Sequence, residues 1–412
     1  MSEPVGVAVT GIGIVSPIGV GRAAFWRALC DGRSGVAPLE GWARPSGYPN
    51  VAASVGEFAA RELIASPQLR RMDRLSRMAV AASRLALDDA RLPSDAVAGE
   101  HAGIVFGTAF GNLQESVAHL DRVFTRGPAA ASPMIFPNLV MNAPAGYIAM
   151  EHGMTGVNFT VAQAEVTGEH AIALGCEMIE SGRADVVLAS GADELSAVLL
   201  EGYDRARALA GQRGGREWSS PYDAARSGIV LGEGAALLVL EPLAKAQARA
   251  ATVYAIIDAT VRFAVDSPRF DWPRRAAAAC RPLRQLLGAH GVDLICGSAN
   301  SSRRLDRCEL MLFAQVLAGR AATTRLTSIK GAIGEFGAAG ALSTAAACLA
   351  VHERAVPPLC HLQTPDAEAT VGLAPNRAVA APLQHALVCG IARGGAGVAL
   401  SLRAAPSSGG VR

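Results

Sequence analysis

One stretch governs what this chain can fold into. Residues 158–192 read NFTVAQAEVTGEHAIALGCEMIESGRADVVLASGA. Asn158 to Ala162 have strand character, and Gln163 to Gly168 form a sharp small-residue segment. A helical run follows to Ser181. Ala171, Ile172, Leu174, Met178 and Ile179 make it apolar on most faces, so a buried helix is expected. Gly182 stands where a left-handed stop is needed, and Val186 to Ala189 read as a parallel strand covered on both faces. A strand, a tight turn and a buried helix present one side chain at a helix N-terminus, where the dipole favours negative charge. A cysteine there would be a nucleophile of lowered pKa.

Size and composition bound the rest. The 412 residues, half of them apolar, can bury a large core of two domains or one duplicated body. A formal charge of +2 gives no reason to expect nucleic acid as a partner. The 36 arginines against two lysines, Lys245 and Lys330, look like a genomic bias. Eight cysteines are scattered without a CxxC pair, so free cytosolic thiols are expected rather than zinc or disulfides. The apolar run from Val5 to Ile18 lacks a basic lead and a cleavage pattern, and no stretch reaches membrane-spanning length. The expectation is a soluble cytoplasmic protein with no cofactor, no metal and no membrane contact.

In chain order, Val5 to Val15 read as a first strand and a glycine turn. Gly11 and Gly13 hint weakly at dinucleotide binding, but Ser16-Pro17 stands where a helix should open. Helices are expected over Ala23–Cys30 and Leu75–Leu87, and a buried strand over His101–Gly107. In Ser219 to Glu241, Gly232 and Gly234 flank Glu233, which is expected to satisfy the backbone donors of its own turn. Val253 to Val261 echo the opening strand. Residues 404–412 are polar, Gly/Ser-rich and expected to fray.

These motifs, in this order, resemble the beta-ketoacyl synthase family over essentially the whole chain. The family's core motif is a small-residue turn, Cys, any residue, Ser or Thr, Gly, and then a helix with His two residues after the Gly. Here it runs Ala164, Glu165, Val166, Thr167, Gly168, Glu169, His170. The resemblance implies an α/β thiolase-like fold, two duplicated halves in a five-layered αβαβα arrangement. The halves would be residues 1–250 and 251–403, in a single compact body. The segments GTAFGN (107–112) and SPMIFPNLVMNAPAG (132–146) match stretches that line the family's acyl tunnel and dimer interface. Phe110, Met134 and Ile135 fall where bulky side chains set tunnel depth, or where they simply pack an interface.

Against that frame, the family's catalytic side chains are replaced. Asp306 and Glu309 keep a family pair, and counting back eight from Asp306 puts Ser298 at the first histidine's position. The stretch Lys330 to Gly340 is one residue shorter than the family pattern. Counted from Lys330 the second histidine's position is Glu335, and counted from the far end it is Gly334; Glu335 is preferred because Lys330 and Gly334 then both match. The gating Phe is replaced by Arg393. An ionised carboxylate cannot donate to an oxyanion, and two close anions need pairing or protons. A closed network of Glu165, Lys330 and Glu335 plugging the old site is therefore expected. His170 reads as a satisfied core histidine, and Glu165 is equally readable as a structural residue of a first helical turn.

A synthase framework without its chemistry resembles the chain-length factor of type II polyketide systems. That subunit pairs with an active ketosynthase and shapes the tunnel for a chain carried on acyl carrier protein. Aromatic systems usually carry Gln where this chain has Glu165, which leaves polyene or fatty-acid-like pathways open. A second reading is an active synthase or malonyl-carrier decarboxylase with Glu165 as base and Asn300 as donor. A third is a homodimeric scaffold.

Overall fold

The structure is a computed structural model, and it describes residues 6–39, 51–64, 67–212, 215–268, 271–288, 290–321 and 323–406. Val5 and the tail residues 407–412 lie outside the described residues. Eleven strands carry the architecture: β1 (Val7–Ser16), β2 (Ala102–Gly107), β3 (Asn158–Val161), β4 (Val186–Asp193), β5 (Gly234–Pro242), β6 (Ala255–Ala264), β7 (Leu294–Cys296), β8 (Arg325–Thr327), β9 (Gly372–Leu373), β10 (His385–Ile391) and β11 (Ala396–Arg403). Their order is β9-β8-β7-β10-β11-β6-β1-β5-β4-β2-β3, and the short strand Gly19–Val20 pairs off β1.

This order contains the same unit twice. Outward from the centre, β1-β5-β4-β2-β3 matches β6-β11-β10-β7-β8 in sequence rank. In both, the first two pairings are antiparallel and the outer two parallel. The halves are continuous, because β1 and β6 pair antiparallel through Val7–Ile257, Ala8–Ile256 and Val9–Ala255.

Five helices, α1 (Arg74–Ala90), α2 (Thr167–Glu180), α3 (Ala277–Leu287), α4 (Arg303–Leu317) and α5 (Ala339–Glu353), complete the layers. α1 and the helix Ala143–His152 cover the outer face of the first half, and α3, packed on α4, covers β6 and β11 of the second. Between the sheets, α2 and α5 touch each other and strands of both halves. Residues Ala339 to Val351 of α5, apolar but for Ser343 and Thr344, are all buried, as a helix in a middle layer must be.

The sequence expectations for these elements hold with small shifts. Gly182 takes φ +69 after α2. The expected glycine turn near Gly11 is instead continuous strand. α1 lies so close that a Cβ on Gly11 or Gly13 would sit 2.2 and 1.9 Å from the carbonyls of Ala86 and Ala82, so these glycines serve helix-on-strand approach. β4 is parallel only to β2 and antiparallel to β5. Glu233 does not serve its own turn: it accepts from Val55 N (2.8 Å) and Leu195 N (3.2 Å) and pairs with Arg74 at 2.6 Å.

Candidate functional site

Glu165 sits where β3 hands over to α2, in the 3₁₀ turn Ala164–Val166. Ala164 adopts φ +45, an uncommon conformation for a residue with a side chain. That turn aims the Glu165 carboxylate inward, and the residue is buried. Its partner is Arg393, in the turn between β10 and β11. Arg393 donates from Nε to Oε1 at 2.6 Å and from its backbone N to Oε2 at 3.1 Å. The guanidinium lies 4.6 Å over the Tyr203 ring and 5.7 Å from that of Trp272, and also donates to the Tyr203 hydroxyl. Burial opposes the Arg393 charge, but Glu165, with Tyr203 and Glu335, holds the guanidinium above its ordinary pKa.

The second half supplies a second pair. Lys330 Nζ donates to both oxygens of Glu335 at 2.9 Å, and Asn300 Nδ2 donates to Oε2 at 2.6 Å. Both side chains of the pair are 1% exposed. Burial pushes the Glu335 carboxyl up, against the pull of Lys330. Burial opposes the Lys330 charge, but Glu335, with Glu169 and Glu165, holds it above its usual value. The expected three-residue network is thus divided: Glu165 bonds to Arg393, and Lys330 bonds to Glu335. The physical reason is reach, since Arg393 comes from the turn directly over Glu165.

Ser298 donates from its N and Oγ to Glu309 Oε1, both at 2.8 Å, and Ala299 N and the Tyr222 hydroxyl donate to Oε2 at 2.8 and 2.7 Å. Asp306 accepts from Asn300 N at 3.0 Å and Tyr222 N at 2.8 Å. Asp306 and Glu309 therefore fold the 298–300 loop rather than meet a substrate. His170 is half-buried and bonded to Gln163, and burial lowers its pKa.

Sequence reasoning missed two buried acids. Asp193 accepts from Thr108 Oγ1 (2.7 Å), Ala109 N (2.9 Å) and Ala338 N (2.7 Å), tying the GTAFGN loop to the Gly-Ala-Ala-Gly loop. Glu169, in the first turn of α2, occupies the space that Cβ atoms on Gly340 and Gly390 would need, at 1.8 and 2.4 Å. Its Oε2 is buried without a hydrogen-bond partner, and burial pushes its pKa up to about 7. The signal for it was a charged residue in the first turn of a helix read as buried.

Phe110, Glu165 and Glu335 share one cavity with Tyr203, Leu231 and Phe336; about 10 Å³ is left, space for roughly one water. Of the three proposed tunnel residues only Phe110 lines this cavity; Met134 is 65% exposed and Ile135 is half-buried. No thiol is activated nearby. Burial pushes Cys30 up to about 11 and Cys296, Cys308 and Cys360 to about 12. Among the described residues no helix is long and apolar enough to cross a membrane.

A duplicated sheet with a tight turn feeding a buried central helix defines a ketosynthase-type α/β protein. The model of the beta-ketoacyl synthase N-terminal domain matches residues 5–246, and that of the C-terminal domain matches 272–363. The chain belongs to the beta-ketoacyl synthase family and has its thiolase-like fold. The 3-oxoacyl-[acyl-carrier-protein] synthase 2 of Coxiella burnetii (strain RSA 493 / Nine Mile phase I) is 30% identical over 383 residues, covering 90% of this chain and 92% of the relative. Nodulation protein E of Rhizobium sp. (strain N33) is 30% identical over 404 residues, covering 96% and 98%. Among solved structures, the ishigamide ketosynthase/chain length factor superposes with a TM-score of 0.89 at 29% identity, covering 97% of this chain and 99% of that one. AntDE:AntF, a type II PKS acyl-carrier protein in complex with its ketosynthase, shares the fold at 24% identity, with a TM-score of 0.89 and coverage of 98% and 100%.

Proposed function

We propose that this chain is a non-catalytic, chain-length-factor-like subunit. It pairs with an active ketosynthase and bounds the tunnel in which a chain on acyl carrier protein grows. One observation carries the reading: the position that would hold the nucleophile is filled by a buried carboxylate neutralised by Arg393. Condensation by this family needs a thiolate and donors facing the developing oxyanion. Here Arg393 is engaged by Glu165, and Asn300 and Lys330 are both engaged by Glu335.

A partner-binding role is supported by the surface. β3 is an outermost strand of the sheet, a place where unpaired backbone groups can accept another chain. Phe124, Met134, Phe136 and Val140 between them are 83%, 65%, 67% and 52% exposed. We divide the chain at residue 250: the first half contributes Glu165 to the closed site, and the second contributes Arg393, Lys330 and Glu335.

The competing reading, an active synthase using Glu165 as base, draws on curated relatives that carry synthase names. Assaying the purified chain alone, and then with its ketosynthase, separates the two. The lone chain is expected to give no turnover; turnover abolished by Glu165→Ala would overturn the non-catalytic reading. Recovery of homodimer alone, with a ketosynthase co-expressed, would instead favour a scaffold.

A further inference from the structure

Three helix N-termini meet beyond the closed site. Asp73 and Arg74 open α1, Gln114 and Glu115 open the helix Leu113–Arg126, and Glu194 precedes the helix Ala197–Arg205. They surround a recess of about 310 Å³ that Glu233 also lines. Among the described residues four carboxylates thus face one guanidinium, and Arg74 is already committed to Glu233 at 2.6 Å. Glu115 meets Arg122 at 3.9 Å. Asp73 caps α1 through Oδ1, which accepts from Ser76 N at 2.7 Å. Its Oδ2 is buried with no hydrogen-bond partner, and the residue as a whole is only 8% exposed. Glu194 accepts from Gln114 N at 3.1 Å.

A buried carboxylate oxygen left unmet costs free energy that a cation would recover. Among the described residues these acids are not placed to converge on a metal ion, which favours an extended cation on a flexible stem. The recess also adjoins an apolar stripe. Val117, Leu120 and Phe124 of the helix Leu113–Arg126 lie three and four residues apart and are 38%, 50% and 83% exposed.

We infer that this recess receives a basic side chain, an arginine for preference, presented by the ketosynthase subunit and seated between Asp73 and Glu194. A guanidinium fork suits two carboxylates better than an ammonium does. The inference rests on the heterodimer reading above. Glu194 gives it a second signature. Burial, with Asp73 and Glu233 behind it and Arg74 opposing, raises its pKa to about 8; Glu115 adds a further negative charge at the rim. A cation docking there displaces the Glu194 proton, so association at neutral pH releases a proton and tightens as pH rises towards 8.

The test uses the co-expressed heterodimer and the double variant Asp73→Asn/Glu194→Gln. Asn keeps the α1 cap and Gln keeps the acceptor for Gln114. The variant should bind the ketosynthase about 10- to 100-fold more weakly, with a flatter salt dependence. Titration calorimetry in buffers of different ionisation heat should show proton release for the parent and none for the variant. A heterodimer whose affinity and salt dependence are unchanged in the variant, or whose parent form releases no proton, overturns this inference while the subunit reading stands. Failure of any heterodimer to form sinks both.

Discussion

The closed site and the acidic recess are built from the same material and differ in bookkeeping of charge. In the closed site the two carboxylates that meet at its centre each have a cation, Glu165 in Arg393 and Glu335 in Lys330 with Asn300 in support, while Asp193 on the same wall is met by Thr108 and backbone N–H groups. In the recess, among the described residues, carboxylates outnumber cations and one oxygen of Asp73 is buried without a partner. The matched region is nearly solid, with about 10 Å³ left, and the unmatched one keeps about 310 Å³. Matched charge completes a core within one chain. Unmatched charge beside exposed apolar side chains is what an incomplete interface looks like.

The contrast can be broken most forcibly at Lys330. Lys330→Met strands a buried anion and should cost about 3–5 kcal/mol in chemical denaturation. Adding Glu335→Leu to that variant should recover most of the loss, because an apolar pair of similar volume is tolerated. Arg393→Ala leaves Glu165 unpaired too, but the Arg393 side chain is 27% exposed, so water can take its place. Its cost should be smaller, about 1–3 kcal/mol, with a measurable gain in cavity volume.

Glu169 sharpens the comparison through pH. Its folded pKa, about 7, lies above the ordinary 4.5. The protonated carboxyl is the one the fold favours, so its contribution is full below the ordinary value. That contribution falls as pH rises through about 7. Glu169→Gln should match the parent in mild acid and exceed its stability above neutral pH, by up to about 3 kcal/mol. Parallel pH dependence of the two melting curves would contradict this. The smallest effect on stability is expected at Phe110. Phe110→Ala should lengthen the product made by the heterodimer, whereas Met134→Ala should weaken subunit association instead; product analysis and sedimentation separate the two.

Much of the fold was legible because periodicity and glycine placement are local. α2, its Gly182 stop and the echo of β1 in β6 could all be read from composition along the chain. The positions proposed as replaced, Glu165, Ser298 and Glu335, were drawn from the family resemblance. The partner of Glu165 was not legible, since Arg393 lies 228 residues away and meets it only after β10 and β11 pair. Glu233 was misread for the same reason: its donors come from residues 55 and 195. Glu169 and the recess depend on what packs around a side chain, and no spacing in the sequence encodes that.

The central claim is that this chain never carries the substrate. Intact-protein mass spectrometry of the heterodimer, quenched during turnover with acyl-carrier substrate, tests it directly. The account predicts an acyl mass increment on the ketosynthase and none on this subunit. An acyl adduct on this chain, at any residue and lost on chase, would contradict it.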